Sequence, residues 1–129
     1  MPQVSTRPAG GPVEDGLHEA EAVQAWAALR RHLEAKNRAI NAEVAHYPTP
    51  IARCDVQLSK LLEQRARIYR DLERITEIGE VFSSNRVSAE WLRGVDNFVA
   101  NGEPDAEDDA EIALRIELKR AIGGLRGCA

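Results

Sequence analysis

His46, Cys54 and Asp55 flank the stretch Pro48-Thr49-Pro50, and they are the first residues in this chain whose types could do chemistry. A thiol beside an imidazole can bind a metal or cycle between redox states. A structural zinc site needs four such ligands, and no second cysteine lies near in sequence. A thiol nucleophile needs a base, an oxyanion donor and an enclosing pocket. His46 and Cys54 are therefore kept as redox or metal candidates, and the simpler reading of Cys54 is a small buried apolar residue at a helix seam.

The other constellations are weaker. His18, His32 and His46 are spaced fourteen residues apart. They share one line along a helix, yet fourteen helical residues span about 21 Å, beyond any single metal's reach. Residues 103–111, "EPDAEDDAE", carry six acids without the ligand alternation of a calcium loop. Acids at a helix N-terminus explain them, and an acidic docking surface is the functional alternative. Arg53, Lys60, Arg67 and Arg74 recur every seven residues, a basic line that a nucleic acid or other anionic partner would recognise. Expected pairing of Glu63 with Arg67, Arg67 with Asp71, and Arg70 with Glu73 would neutralise much of that surface. No aromatic residues are interleaved for stacking, and the formal charge of -4 disfavours nucleic acid further. No phosphate-binding glycine loop, HExxH, nucleophile elbow or CxxC pair occurs in the chain. Only His46 follows a glutamate at Glu-x-x-His spacing (Glu43), whereas a two-metal site in a helical bundle takes two such motifs. The expectation is a non-enzyme with no cofactor and no metal.

The elements that must position these residues are helices. Aromatics make up only 5% of the 129 residues, and Ala, Leu, Arg and Glu abound. Residues 1–16, rich in proline and glycine, read as a disordered N-terminal tail. Residues 17–129 read as a single helical domain. Val23, Trp26, Leu29, Leu33, Ile40, Val44 and Tyr47 form one stripe of a long helix, interrupted by Asn37. The residue before Pro48 is pushed out of the α region, so that helix ends near His46. Thr49 as N-cap and Pro50 at the first helical position begin the next helix at once. Ile51, Cys54, Leu58, Leu61, Arg65, Ile68, Leu72 and Ile75 then follow at steps of three and four, a heptad seam.

Two long helices joined by so short a bend fold back antiparallel, giving a hairpin over residues 17–79. In that pairing Arg65 approaches Glu34 and Asn37, and a buried bond among them would set the register. Ser88 caps a helix over residues 88–101, with Val87 and Leu92 as a hydrophobic staple. A last helix over 105–123 takes Asp105 as its cap and ends at Gly123-Gly124. The fold class is thus all-α: a long, coiled-coil-like antiparallel helical hairpin plus two shorter C-terminal helices.

The last helix has Leu114, Leu118, Ala121 and Leu125 on one side, with Ile112 and Ile116 on nearly the opposite one. Leu62 and Tyr69 also lie off the seam of the second helix. Surfaces apolar on two sides need two covers, so a homo-oligomer, in the first instance a dimer, is expected. The functional expectation is a helical interaction or scaffolding protein acting through self-association and partner-helix contacts. Its interaction surface would draw on Arg53, Lys60, Arg67, Arg74, Ile112 and Ile116. A nucleic-acid-associated regulator using the basic line is the first alternative, and a metal- or redox-responsive protein using His46 and Cys54 the second. No run of about 18 apolar residues offers a membrane span, and the N-terminus lacks the apolar segment of a secretory signal. Two cysteines so far apart, at 54 and 128, suit a reducing cytoplasm.

Overall fold

The computed structural model describes residues 12–47, 55–80 and 87–127. They form α1 (Pro12–Ala45), α2 (Asp55–Glu80), α3 (Ala89–Asn101) and α4 (Asp109–Gly127), with no strand among the described residues. The first helix starts at Pro12 rather than Leu17. Proline suits a first turn, because its missing N–H would have no intrahelical partner there. α1 stops where expected, with His46 and Tyr47 N–H groups closing the last turn on Ala42 and Val44. The bend at Pro48-Thr49-Pro50, together with Ile51, Arg53 and Cys54, lies outside the described residues.

α1 and α2 pack together as a hairpin, and α4 packs along α1 even more extensively. At one end of the α1–α4 contact, Lys36 meets Asp105, Asp108 and Glu111. At the other end, His18 lies against Gly124. α4 therefore runs antiparallel to α1. α3 packs against α2 and α4 and meets α1 through the rings of Trp91 and Phe98 against Trp26.

The core lies between the four helices. α1 supplies Ala22, Ala25, Trp26, Leu29 and Leu33, and α2 supplies Ile75 and Ile78. α3 adds Trp91, Val95 and Phe98, and α4 adds Leu118, Ala121 and Ile122. Trp26 stands nearly perpendicular to Trp91 (6.0 Å between centroids) and to Phe98 (5.5 Å), an edge-to-face arrangement aromatic quadrupoles favour. Two of the buried α1 residues, Ala22 and Ala25, are alanines, whose small side chains permit close helix approach.

The caps explain where the short helices begin. The Ser88 hydroxyl accepts from the Trp91 N–H at 3.1 Å, as expected, and Val87 and Leu92 both pack on the core. α4 differs from expectation at both ends. Asp105 closes a preceding turn, accepting the Glu107 N–H on its side chain (3.0 Å) and the Asp108 N–H on its carbonyl (3.0 Å). Asp108 then acts as the cap, its carboxylate accepting the Glu111 N–H at 3.0 Å. The helix continues through Gly123-Gly124 to Gly127. A Cβ on Gly124 would stand 3.3 Å from the His18 ring, so this glycine serves close packing against α1 and does not end the helix.

Past Lys36, α4 has ended, and among the described residues only α1 and α2 continue, as a two-helix arm. Ile40 is still buried in its seam, but Leu58 and Leu61 are only half-buried. The expected register contact does not form. Glu34 pairs with Arg30 at 3.3 Å, and the buried Asn37 Oδ1 has no hydrogen-bond partner among the described residues. Arg65 is half-buried at the junction of arm and bundle, where its long stem can lie along the seam and leave the guanidinium near water.

Candidate interaction surface

A charged network closes the core where the four-helix part meets the arm. Lys36 Nζ sits 2.9 Å from Asp105 Oδ2, 2.9 Å from Asp108 Oδ2 and 3.2 Å from Glu111 Oε1. His32 Nε2 lies 2.8 Å from the same Asp108 oxygen. Glu111, only 2% exposed, accepts from Arg115 Nε at 2.9 Å, and Arg115 Nη2 reaches Asp71 on α2 at 3.1 Å. The Arg115 guanidinium also lies 5.1 Å over the Phe98 ring. Its Nη1 is buried with no hydrogen-bond partner among the described residues. One network thus ties α1, α2, the α3–α4 connection and α4 together.

The electrostatics follow from this geometry. Burial opposes the charge on Lys36, but the bonds to Asp108, Asp105 and Glu111 outweigh it and hold its pKa above the ordinary 10.5. Asp105 is held below the carboxylate range by its Lys36 bond and the Glu107 N–H. Burial works against the charge of Asp108 too, and is overcome by His32, Lys36 and the Glu111 N–H, which leave it well below the usual range. Asp71 goes the other way. Its burial raises the pKa, and the attraction of Arg115 is offset in part by like-charged Glu111. Every member of the network is engaged by another, which makes it a fastening of the fold.

In the sequence, residues 103–111 read as acids placed by a helix dipole, and Lys36 belongs to no motif. A signal was present: from Leu33 to Ile40 the core-facing step can pass through Lys36 as well as through Asn37. A cation on an apolar stripe needs acids from elsewhere in the chain, and "EPDAEDDAE" supplies them.

The other candidates are dispersed. His46 is exposed, and its Nδ1 lies 2.8 Å from its own helix's Ala42 carbonyl, which it can only approach as donor. Its proposed partner Cys54 lies outside the described residues. His18, His32 and His46 have separate surroundings, and no metal-holding cluster of His, Cys, Asp or Glu occurs among the described residues. No described helix is long and apolar enough to cross a membrane.

The basic line is divided between two surfaces. Lys60 is exposed and lines an open groove of about 500 Å³ on the arm, with Glu43, His46, Tyr47 and Leu61. Arg67 and Arg74 line adjoining parts of the cleft between α2 and the end of α3, where Asp71, Glu73, Glu77 and Glu103 interleave with them. Arg53 lies outside the described residues. The line is therefore not a strip of one sign. The surface pairs expected within α2 do not form: among the described residues no ion pair joins Glu63 to Arg67 or Arg70 to Glu73, and Asp71 has turned to Arg115.

Large apolar side chains remain outside the core. Val56 is 64% exposed, Leu62 39% and Tyr69 50% on α2, and Ile116 is 57% exposed on α4. Ile112, expected beside Ile116, is half-buried. The outer apolar surface of α4 is therefore narrower than the sequence suggests, and that of α2 is the longer one. Comparison of the chain with protein-family models, with curated proteins and with solved structures finds no match.

Proposed function

We propose that this is a non-enzymatic helical interaction protein that works by self-association and by contact with partner helices. The observation that carries the reading is the apolar surface left on α2: Leu62 and Tyr69 are exposed and stand outside the core cluster formed by Trp26, Trp91, Phe98 and their neighbours. Exposed apolar residues aligned on a rigid helix are the usual means by which one helix recognises another. The two-helix arm supports the same reading, since the described residues of α1 and α2 leave an open groove on it beyond the end of α4. We place the protein in the cytoplasm on the strength of its two widely separated cysteines.

The test is the mass of the full chain by light scattering behind a sizing column, over a concentration series. The reading predicts a mass that rises above the 14.3 kDa of one chain as concentration increases. A mass of one chain throughout the series overturns self-association.

A further inference from the structure

Ser59, Leu62, Ala66, Tyr69 and Glu73 follow one another along α2 at steps of three and four, and all five are exposed. At 3.6 residues per turn they fall within about 80° of the helix circumference, centred roughly 110° around from the seam of Leu58, Leu61, Arg65, Ile68, Leu72 and Ile75. α2 thus carries a second heptad stripe, to one side of the one that faces α1. Its centre is Leu62, Ala66 and Tyr69: a large apolar residue on each side of a small one. Glu63 and Arg70 flank the stripe on one side, both exposed and neither engaged in an ion pair among the described residues.

We propose that this stripe is the contact with a second copy of the chain, with the two α2 helices packed antiparallel about a two-fold axis. The inference rests on the self-association reading above and adds its surface and register. In an antiparallel pair with Ala66 against Tyr69 of the second copy, each large ring fills the space over the other chain's alanine. The same register brings Glu63 beside Arg70 of the second copy, twice by symmetry. A heptad slip in one direction brings Glu63 onto Glu63, and a slip in the other brings Arg70 onto Arg70. Both place like charges together, so the charge pattern selects the register that the apolar residues favour. The antiparallel arrangement also lays the arm of one copy along the four-helix part of the other. One helix per copy buries less than the roughly 800 Å² per partner of a stable complex, so the dimer dissociates on dilution.

The experiment is sedimentation equilibrium on the full chain and on three variants, with circular dichroism to verify that each stays folded. Glu63→Arg and Arg70→Glu each place like charges across the axis and should weaken dimerisation about tenfold, which is 1.4 kcal/mol. The double variant Glu63→Arg/Arg70→Glu restores opposite charges in the same register and should recover most of the loss. Mixing the two single variants should yield a heterodimer tighter than either homodimer. If the wild-type chain dimerises but the reversals leave its dissociation constant within about twofold, the α2 surface is wrong while self-association stands. If the wild-type chain is a monomer throughout, both fall.

Discussion

Replacing Lys36 by methionine keeps most of the side chain's volume and removes one charge from the centre of the network. Three carboxylates then lose a cation at 2.9, 2.9 and 3.2 Å. They are not equally stranded. Asp108 keeps His32, Glu111 keeps Arg115, and Asp105 keeps only a backbone donor. Breaking a buried charge pair on one side costs about 3–5 kcal/mol. The retained partners and the residual exposure of Asp105 and Asp108 place Lys36→Met at roughly 2–4 kcal/mol.

The pH dependence gives a second, independent signature. Asp105 and Asp108 have depressed pKa values in the fold, so their stabilisation is present above the ordinary 3.8 and is lost as pH falls towards the folded values. Lys36 is raised, so its contribution is present below 10.5 and is lost as pH rises through the folded value. The wild-type advantage over Lys36→Met should therefore be nearly constant at neutral pH and shrink below about pH 4. Asp71, whose pKa is raised, opposes this trend in both proteins and cancels in the difference. Urea unfolding followed by circular dichroism measures both effects. A cost below about 1 kcal/mol at neutral pH, the range of surface pairs, would refute the view of the network as a fastening. So would a difference that acid leaves unchanged.

Three further outcomes follow from the same geometry. Gly102→Ala should destabilise by about 1–3 kcal/mol in the same urea assay, because a Cβ there would lie 2.7 Å from Arg115 Nη1 and 2.8 Å from the Phe98 carbonyl. Hydrogen exchange should open the arm before the bundle. Amides in residues 38–45 and 57–66, held by two helices, should exchange faster than those in 25–33 and 68–78, beneath the four-helix core. Ile116→Ser should leave stability within about 0.5 kcal/mol of wild type, since that side chain is largely exposed.

Helices α1 and α2 were legible because their apolar residues recur over many turns, and α3 because Ser88, Val87 and Leu92 form a local signal that needs nothing distant. The start of α4 was not legible in the same way. Asp105 and Asp108 are both good caps, and the choice between them is made by the turn at 105–108 and by Lys36, which approaches from α1. Gly123-Gly124 reads locally as a stop, yet the packing of His18 against Gly124 favours a helix there. Surface charges misled for a related reason. Asp71 is one turn from Arg67 in sequence but is drawn inward by Arg115, a partner 44 residues away. Leu62 and Tyr69, by contrast, are legible as off the seam, because a residue's place around a helix is a matter of spacing alone.

The most direct test of self-association through α2 is sedimentation equilibrium on the wild-type chain at low and at high salt, across a broad concentration range. Reversible growth from 14.3 kDa towards twice that mass, weaker in high salt because Glu63–Arg70 pairs are screened, is the predicted result. A single species of one-chain mass at every concentration and both salts would contradict it.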